Sequence, residues 1–441
     1  MKSFALLALA TSLGAYAAPT SLKRDTATYD IILSKSADVA AVLSQLDITV
    51  DDEAVTSTYN NSFFKSSVQS IIRLTTSQGF SGSFSAEQAE KLGGIAEVSI
   101  VDSALQATIK ATRSSAPWGL QRISQTESIE NTASPSSTSY TYTYSSTALG
   151  SGVDIYIVDT GIRTTHTQFG SRATVGWSAF SSNTDDNGHG THVSGTSAGN
   201  TVGVASNANL IGVKVLDSSG SGTSSGLIGG LDYVASQHES RSGESDFVAS
   251  VASLSLGFEG RSTAVESALV ALSDSGVHIA VAAGNDGDDA SNYTPGSLGG
   301  DVSNIISVGA SNILDEVAYF SNSGPTVDVY APGVTTYSSY YNSDTAYAIA
   351  SGTSMATPHI SGLLAYLLAA DPSLNDPATL KARVKSLAVS GYLTEGDADV
   401  TAGGELIIAQ NGASGSSSTV DETETTQAAS DEEVVDLGIF Y

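Results

Sequence analysis

From Gly152 onward the chain alternates two kinds of apolar pattern. GVDIYIVDT, NLIGVKVLD, FVASVASLSLG, VHIAVAAGN, NIISVGAS and VDVYAPG are near-continuous runs rich in Val and Ile, and they predict strands covered on both faces. Between them SGLIGGLDYVASQ, STAVESALVALSDSG and GTSMATPHISGLLAYLLAA carry helical spacing, and a further helix is predicted from His189. Buried strands alternating with helices predict an α/β fold with a doubly wound, mainly parallel sheet. Such sheets bind ligands outside the carboxyl ends of their strands, which singles out Asp159, Gly257 and Asn285.

The preceding segment has a different pattern. TYDIILSK, SIIRLTT, GFSGSF and AEVSIVDS read as strands, and DVAAVLSQL and SAEQAEKLGGI read as helices. Together they predict a small α+β unit of ferredoxin-like type, followed by a polar joint, QATIKATRSSAPWGL. At the front, MKSFALLALATSLGAYA has a Lys, a short apolar run and a small-x-small site at Ala15–Ala17, the pattern of a secretory signal peptide over 1–17. The run is too short to span a bilayer, and no later stretch has about 18 uninterrupted apolar residues. Residues 411–441 are Ser/Thr-rich with seven acids and no base, so composition predicts an acidic disordered tail.

Composition narrows the function classes. The 441 residues carry a net charge of −28, which argues against nucleic acid and anionic membrane as partners, since both need basic patches. There is no Cys, so disulfides and thiolate metal sites are excluded. Asn60 and Asn292 head N-x-S/T sequons, candidate glycosylation sites in a host that glycosylates.

Candidate chemistry lies at element ends. Ser354 sits where a tight Gly-Thr-Ser turn enters an apolar helix, where free N–H groups and the positive dipole end suit an oxyanion. An ordinary N-cap reads equally well. Asp159 ends a strand and His189 starts a helix, so the chain order is Asp…His…Ser. His189 and His192 are three apart with Gly190 and Thr191 between them, unlike the H-E-x-x-H pair of zinc helices. Asp159-Thr160-Gly161 and Asp274-Ser275-Gly276 resemble the paired triplets of pepsin-like aspartic proteases, but Asp274 closes a predicted helix, whereas that dyad needs both triplets on matching strand loops.

VDTG, GHGTHVSGT, AAGN and GTSMATP together resemble the signature segments of subtilisin-like serine proteases, and APWGLQRIS and VASLSLG are closest to the proteinase K-like branch. The resemblance covers roughly residues 25 to 410. It implies a secreted serine endopeptidase with Ser354 as nucleophile, His189 as base and Asp159 as its orienting acid. Asn285 would bind the oxyanion. Gly220, Ser221 and Gly222 with Ser255, Leu256 and Gly257 would flank a peptide substrate as edge strands. Ala282, Ala283 and Gly284 would shape a pocket for a large apolar or aromatic residue before the cut bond.

On the same resemblance, 18–110 is an inhibitory propeptide whose last strand lies in the cleft, and 111–410 is the catalytic domain, starting near Ala111. The protein would be a self-processing zymogen and a monomer acting on proteins and peptides. It would be extracellular, with the vacuole as the alternative destination. No cofactor is needed for the chemistry. Asp328 matches a calcium-binding aspartate of the branch, although TPGSLGGDVSN, which should supply carbonyls, carries extra residues. NTASPSSTSYTYTYSS reads as a longer polar surface loop, and the acidic Asp286, Asp288 and Asp289 as a solvated loop rather than an EF-hand. An intact triad leaves nothing in favour of a catalytically silent relative.

Overall fold

The computed structural model describes residues 26–34, 36–46, 68–73, 78–103, 110–130, 132, 134–401, 403–413 and 434–439. Its contacts divide the chain into two units, Met1–Thr108 and Ile109–Tyr441. Asn60 and the 1–17 segment lie outside the described residues.

In the first unit, strands β1 (Thr26–Leu33), β2 (Val68–Arg73), β3 (Gln78–Ser85) and β4 (Val98–Ser103) form an antiparallel sheet in the order β2-β3-β1-β4. Helices α1 (Val39–Ser44) and α2 (Ala86–Gly93) complete a β-α-β-β-α-β chain, the ferredoxin-like arrangement. Both helices start where side chains cap them. Asp38 accepts from the Ala40 amide at 2.9 Å, and Ser85 and Gln88 form a reciprocal capping box. Ile31, Leu33, Val42, Leu43, Phe80, Phe84 and Leu92 make its own small core.

In the second unit a nine-stranded sheet carries the fold. Its members are β7 (Val153–Asp159), β8 (Ala173–Ser178), β9 (Asn209–Lys214), β10 (Ala249–Leu254), β11 (His278–Ala282), β12 (Ile306–Ser311), β13 (Val329–Pro332), β16 (Val389–Ser390) and β17 (Ile407–Ile408). The order is β16-β17-β13-β12-β11-β10-β7-β9-β8, parallel except for β16 against β17.

Strand β7 shows why its run is apolar throughout. Ile155 and Ile157 enter one core with Leu363 and Leu364, while Tyr156 and Val158 enter a second with Leu231 and Leu269. Helices α4 (His189–Ala198) and α7 (Thr353–Ala370) contribute to the first core, and α5 (Ser224–Arg241) and α6 (Thr263–Asp274) to the second. Because β7, β10 and β11 are parallel neighbours, Asp159, Ser255 and Asn285 emerge together at one edge.

Two sequence expectations are corrected here. The segment read as a polar surface loop contains β6 (Tyr140–Tyr144), paired antiparallel with β5 (Ala111–Ala116) of the supposed joint. Tyr140 and Tyr142 are buried while Thr141 and Thr143 are not, a period-two pattern that its hydroxyl content disguises. The tail expected to be disordered includes β18 (Val435–Ile439), which joins β15 (Tyr347–Ser351) in parallel and sets Leu437 and Ile439 against the main core. Composition misses it because the strand is short and the acids around it dominate the average.

Candidate active site

His189 reaches Asp159 because glycine permits the turn before α4. Gly188 stands at the N-cap with φ 110°, in the left-handed region. Gly190 packs so closely on β7's exit that a Cβ there would lie 2.0 Å from the Gly161 carbonyl oxygen. The result is a buried pair in which His189 Nδ1 lies 2.8 and 2.9 Å from the two Asp159 oxygens. A carboxylate only accepts, so Nδ1 carries the proton and Nε2 is the basic nitrogen. Asp159 also accepts from the Thr160 amide at 2.7 Å.

A second carboxylate braces the same turn. Asp185 accepts from Thr160 Oγ1 at 2.9 Å, Gly188 N at 2.8 Å and Thr191 N at 2.9 Å, and Thr160 Oγ1 in turn accepts from Gly190 N at 2.9 Å. Burial works against a charged His189, but the charge and hydrogen bond of Asp159 and the charge of Asp185 outweigh it. The His189 pKa is therefore raised above its ordinary 6.5. Sequence reading did not single out Asp185; an acid four residues before a helix start was the available signal.

Ser354 is the second residue of α7, which begins at the Gly352 N-cap and packs against α4, with Ser197 Oγ 2.8 Å from Ser361 Oγ. Pro358 lies past the first turn, so it deprives the Ser354 carbonyl of the helical N–H it would otherwise receive. Ser255 Oγ takes over, donating to Ser354 O at 2.7 Å, while Ser354 Oγ donates to Ser255 O at 3.1 Å. Asn285 is pinned beside this serine, its Oδ1 accepting from Thr353 N and Thr353 Oγ1, both at 2.8 Å.

The remaining expected residues fall as follows. Gly220, Ser221 and Gly222 are exposed, and Ser221 and Gly222 border a cleft of about 610 Å³ also lined by Trp177, Phe180, Val215 and Asp217. Leu256 and Gly257 follow the buried Ser255, with Gly257 exposed. Ala282 and Ala283 are buried below the half-buried Gly284. Asn292 is exposed at the end of a 3-10 turn, Ala290–Asn292.

His192 and His359 are buried and donate to backbone carbonyls, His192 from Nε2 to Thr336 O and Ala348 O and His359 from Nδ1 to Met355 O, and burial lowers their pKa values to about 3 and about 4. Asp286, Asp288 and Asp289 are used locally, Asp288 accepting from the Tyr293 hydroxyl at 3.0 Å. Among the described residues no cluster of three or more His, Asp or Glu could hold a metal.

The structure bears on two further readings. Asp274 ends α6 while Asp159 ends a strand, so the two triplets do not form the matched strand loops of an aspartic protease. Asp328 has a cationic partner within the chain. Its carboxylate is buried against the Lys381 ammonium at 3.0 Å, and a divalent cation there would sit on a positive charge.

A model described as the Subtilase family matches residues 150–425. The "Subtilisin-like serine protease pepC" of Aspergillus niger is 42% identical over 336 residues, covering 72% of this chain and 61% of that protein, so the match spans less than two thirds of that relative. The "Cuticle-degrading serine protease" of Arthrobotrys oligospora is 40% identical over 322 residues, covering 72% of this chain and 74% of that protein. A crystal structure of a cold adapted subtilisin-like serine proteinase matches with a TM-score of 0.58 and 37% identity, over 68% of this chain and 99% of that one. With its parallel sheet, its Asp-His pair at a strand end and its serine heading a buried helix, the chain belongs to the subtilase family of serine proteases.

Proposed function

We propose that the protein is a serine endopeptidase working through Asp159, His189 and Ser354. The buried Asp159–His189 pair carries the reading, because it leaves Nε2 as an elevated-pKa base at the mouth of the sheet. Ser354 Oγ attacks the substrate carbonyl as His189 Nε2 takes its proton. The oxyanion is stabilised by the Ser354 N–H and the Asn285 side-chain amide. Protonated His189 then gives its proton to the leaving amine, and the acyl-enzyme is hydrolysed by water in the reverse sense. No metal is required in any step.

Peptide substrates would pair by main chain between Gly220–Gly222 and Ser255–Gly257. Small walls at Ala282–Gly284 favour a large apolar or aromatic residue before the cut bond with broad specificity, and the cleft beside Trp177 and Phe180 suits a second apolar side chain. Residues 18–110 act as an intramolecular inhibitor released by self-processing near Ala111. The enzyme follows the secretory route to the extracellular space, with the vacuole as the alternative. Among the described residues no helix is long and apolar enough to cross a membrane.

The test is fluorophosphonate labelling of the matured protein with the adduct mapped by mass spectrometry. An adduct on Ser354 that is lost in His189→Ala is expected. Intact matured protein with no adduct would overturn the reading and leave a silent member of the family.

A further inference from the structure

The Asp328 site departs from a metal site in a specific way. Helix α8 (Pro377–Leu387) projects Lys381 inward until the residue is only 8% exposed. Its Nζ donates to Gly300 O at 2.7 Å, Ser303 O at 2.8 Å and Ile305 O at 2.8 Å. Those three carbonyls use all three N–H donors of an ammonium. Asp328 Oδ1 stands 3.0 Å from the same nitrogen with no directed hydrogen bond left for it, while Oδ2 accepts from Ser307 N at 3.0 Å. One buried carboxylate and three converging backbone carbonyls are the oxygen donors a hard cation uses, but four are fewer than the six to eight that calcium takes.

We propose that Lys381 is a cation built into the chain, holding the 300–305 loop to Asp328 in the position a divalent ion would occupy, so that this part of the fold needs no metal. The three carbonyl distances of 2.7–2.8 Å suit N–H···O bonds. Calcium–oxygen bonds are shorter, about 2.3–2.6 Å. The charge is also matched, one cation to one carboxylate, where calcium would leave a buried surplus. Burial lowers the Lys381 pKa and raises that of Asp328, with their mutual attraction opposing both shifts. The carbonyls are the decisive feature, since three backbone acceptors aimed at one point would be left unsatisfied without a cation among them.

Two measurements on the full chain carrying Ser354→Ala test this. Reductive methylation followed by peptide mass spectrometry, in calcium and in EGTA, should leave Lys381 protected equally in both while the exposed Lys91 is modified. Labelling of Lys381 at the Lys91 rate, or any dependence of its labelling on calcium, would overturn the proposal. Lys381→Ala should leave the carboxylate and carbonyls free and open room for water to complete a calcium shell, so that calcium raises the Tm of this variant by about 5 °C more than that of the parent. Adding Asp328→Asn should abolish the gain. An equal calcium response in Lys381→Ala and parent would overturn the cage reading. Should Lys381→Ala not fold, the methylation result on the parent decides the matter.

Discussion

Ser255→Ala isolates one hydrogen bond whose necessity follows from the position of a proline. Ser354 lies four residues before Pro358, so in an uninterrupted helix its carbonyl would accept from residue 358. Proline has no N–H, and Ser255 Oγ supplies the missing donor at 2.7 Å in a site where both serines are buried. Removing the hydroxyl deletes almost no volume but strands an acceptor, at a cost of about 1–3 kcal/mol. For a domain of this size that is a Tm lower by about 2–6 °C.

The assay is a thermal scan at fixed rate in a Ser354→Ala background, which removes self-digestion and keeps the carbonyl. The control is Pro358→Ala, which restores an N–H to the helix. In that background Ser255→Ala should cost little, giving a coupling of about 1 kcal/mol or more between two residues far apart in sequence. Equal losses of Tm with and without Pro358 would refute the argument.

Two further outcomes follow from the same site. The His189 pKa is raised, and only the neutral imidazole is a base, so activity should fall as pH drops through a midpoint above 6.5. Asp185→Asn should move that midpoint to lower pH, and a pH–kcat/KM profile unchanged by the substitution, or a midpoint below 6.5, would contradict the electrostatics. Gly190→Ala places a methyl group 2.0 Å from the Gly161 carbonyl, a backbone atom that cannot swing aside. Displacing His189 from Asp159 should lower kcat/KM toward peptide substrates by about 100-fold, and a loss under about three-fold would show that the turn is more pliable than its packing implies.

Much of the candidate site's framework was legible in the sequence, because its elements are encoded locally. A strand buried on both faces must be apolar at every position, so β7, β10 and β11 were visible as runs. The residues just after them were marked by where parallel sheets bind ligands. His189, Ser354 and Asn285 lie in motifs whose glycines are required by the turns that hold them. Other features were decided only by tertiary structure, for two physical reasons.

Some depend on backbone atoms, which every residue shares. The carbonyls of Gly300, Ser303 and Ile305 turn Lys381, which nothing in PATLKARVKSL marks, into the partner of Asp328. Others depend on chain segments meeting at long range. Tyr142 is buried only because β6 pairs with β5, the 435–439 segment is a strand only because the edge of β15 accepts it, and the Ser354 carbonyl that Pro358 leaves without a helical donor is satisfied because Ser255, at the end of β10, donates to it. Local pattern marks the helices and the strands buried on both faces, while the marginal strands and the partner of each polar group depend on where those elements pack.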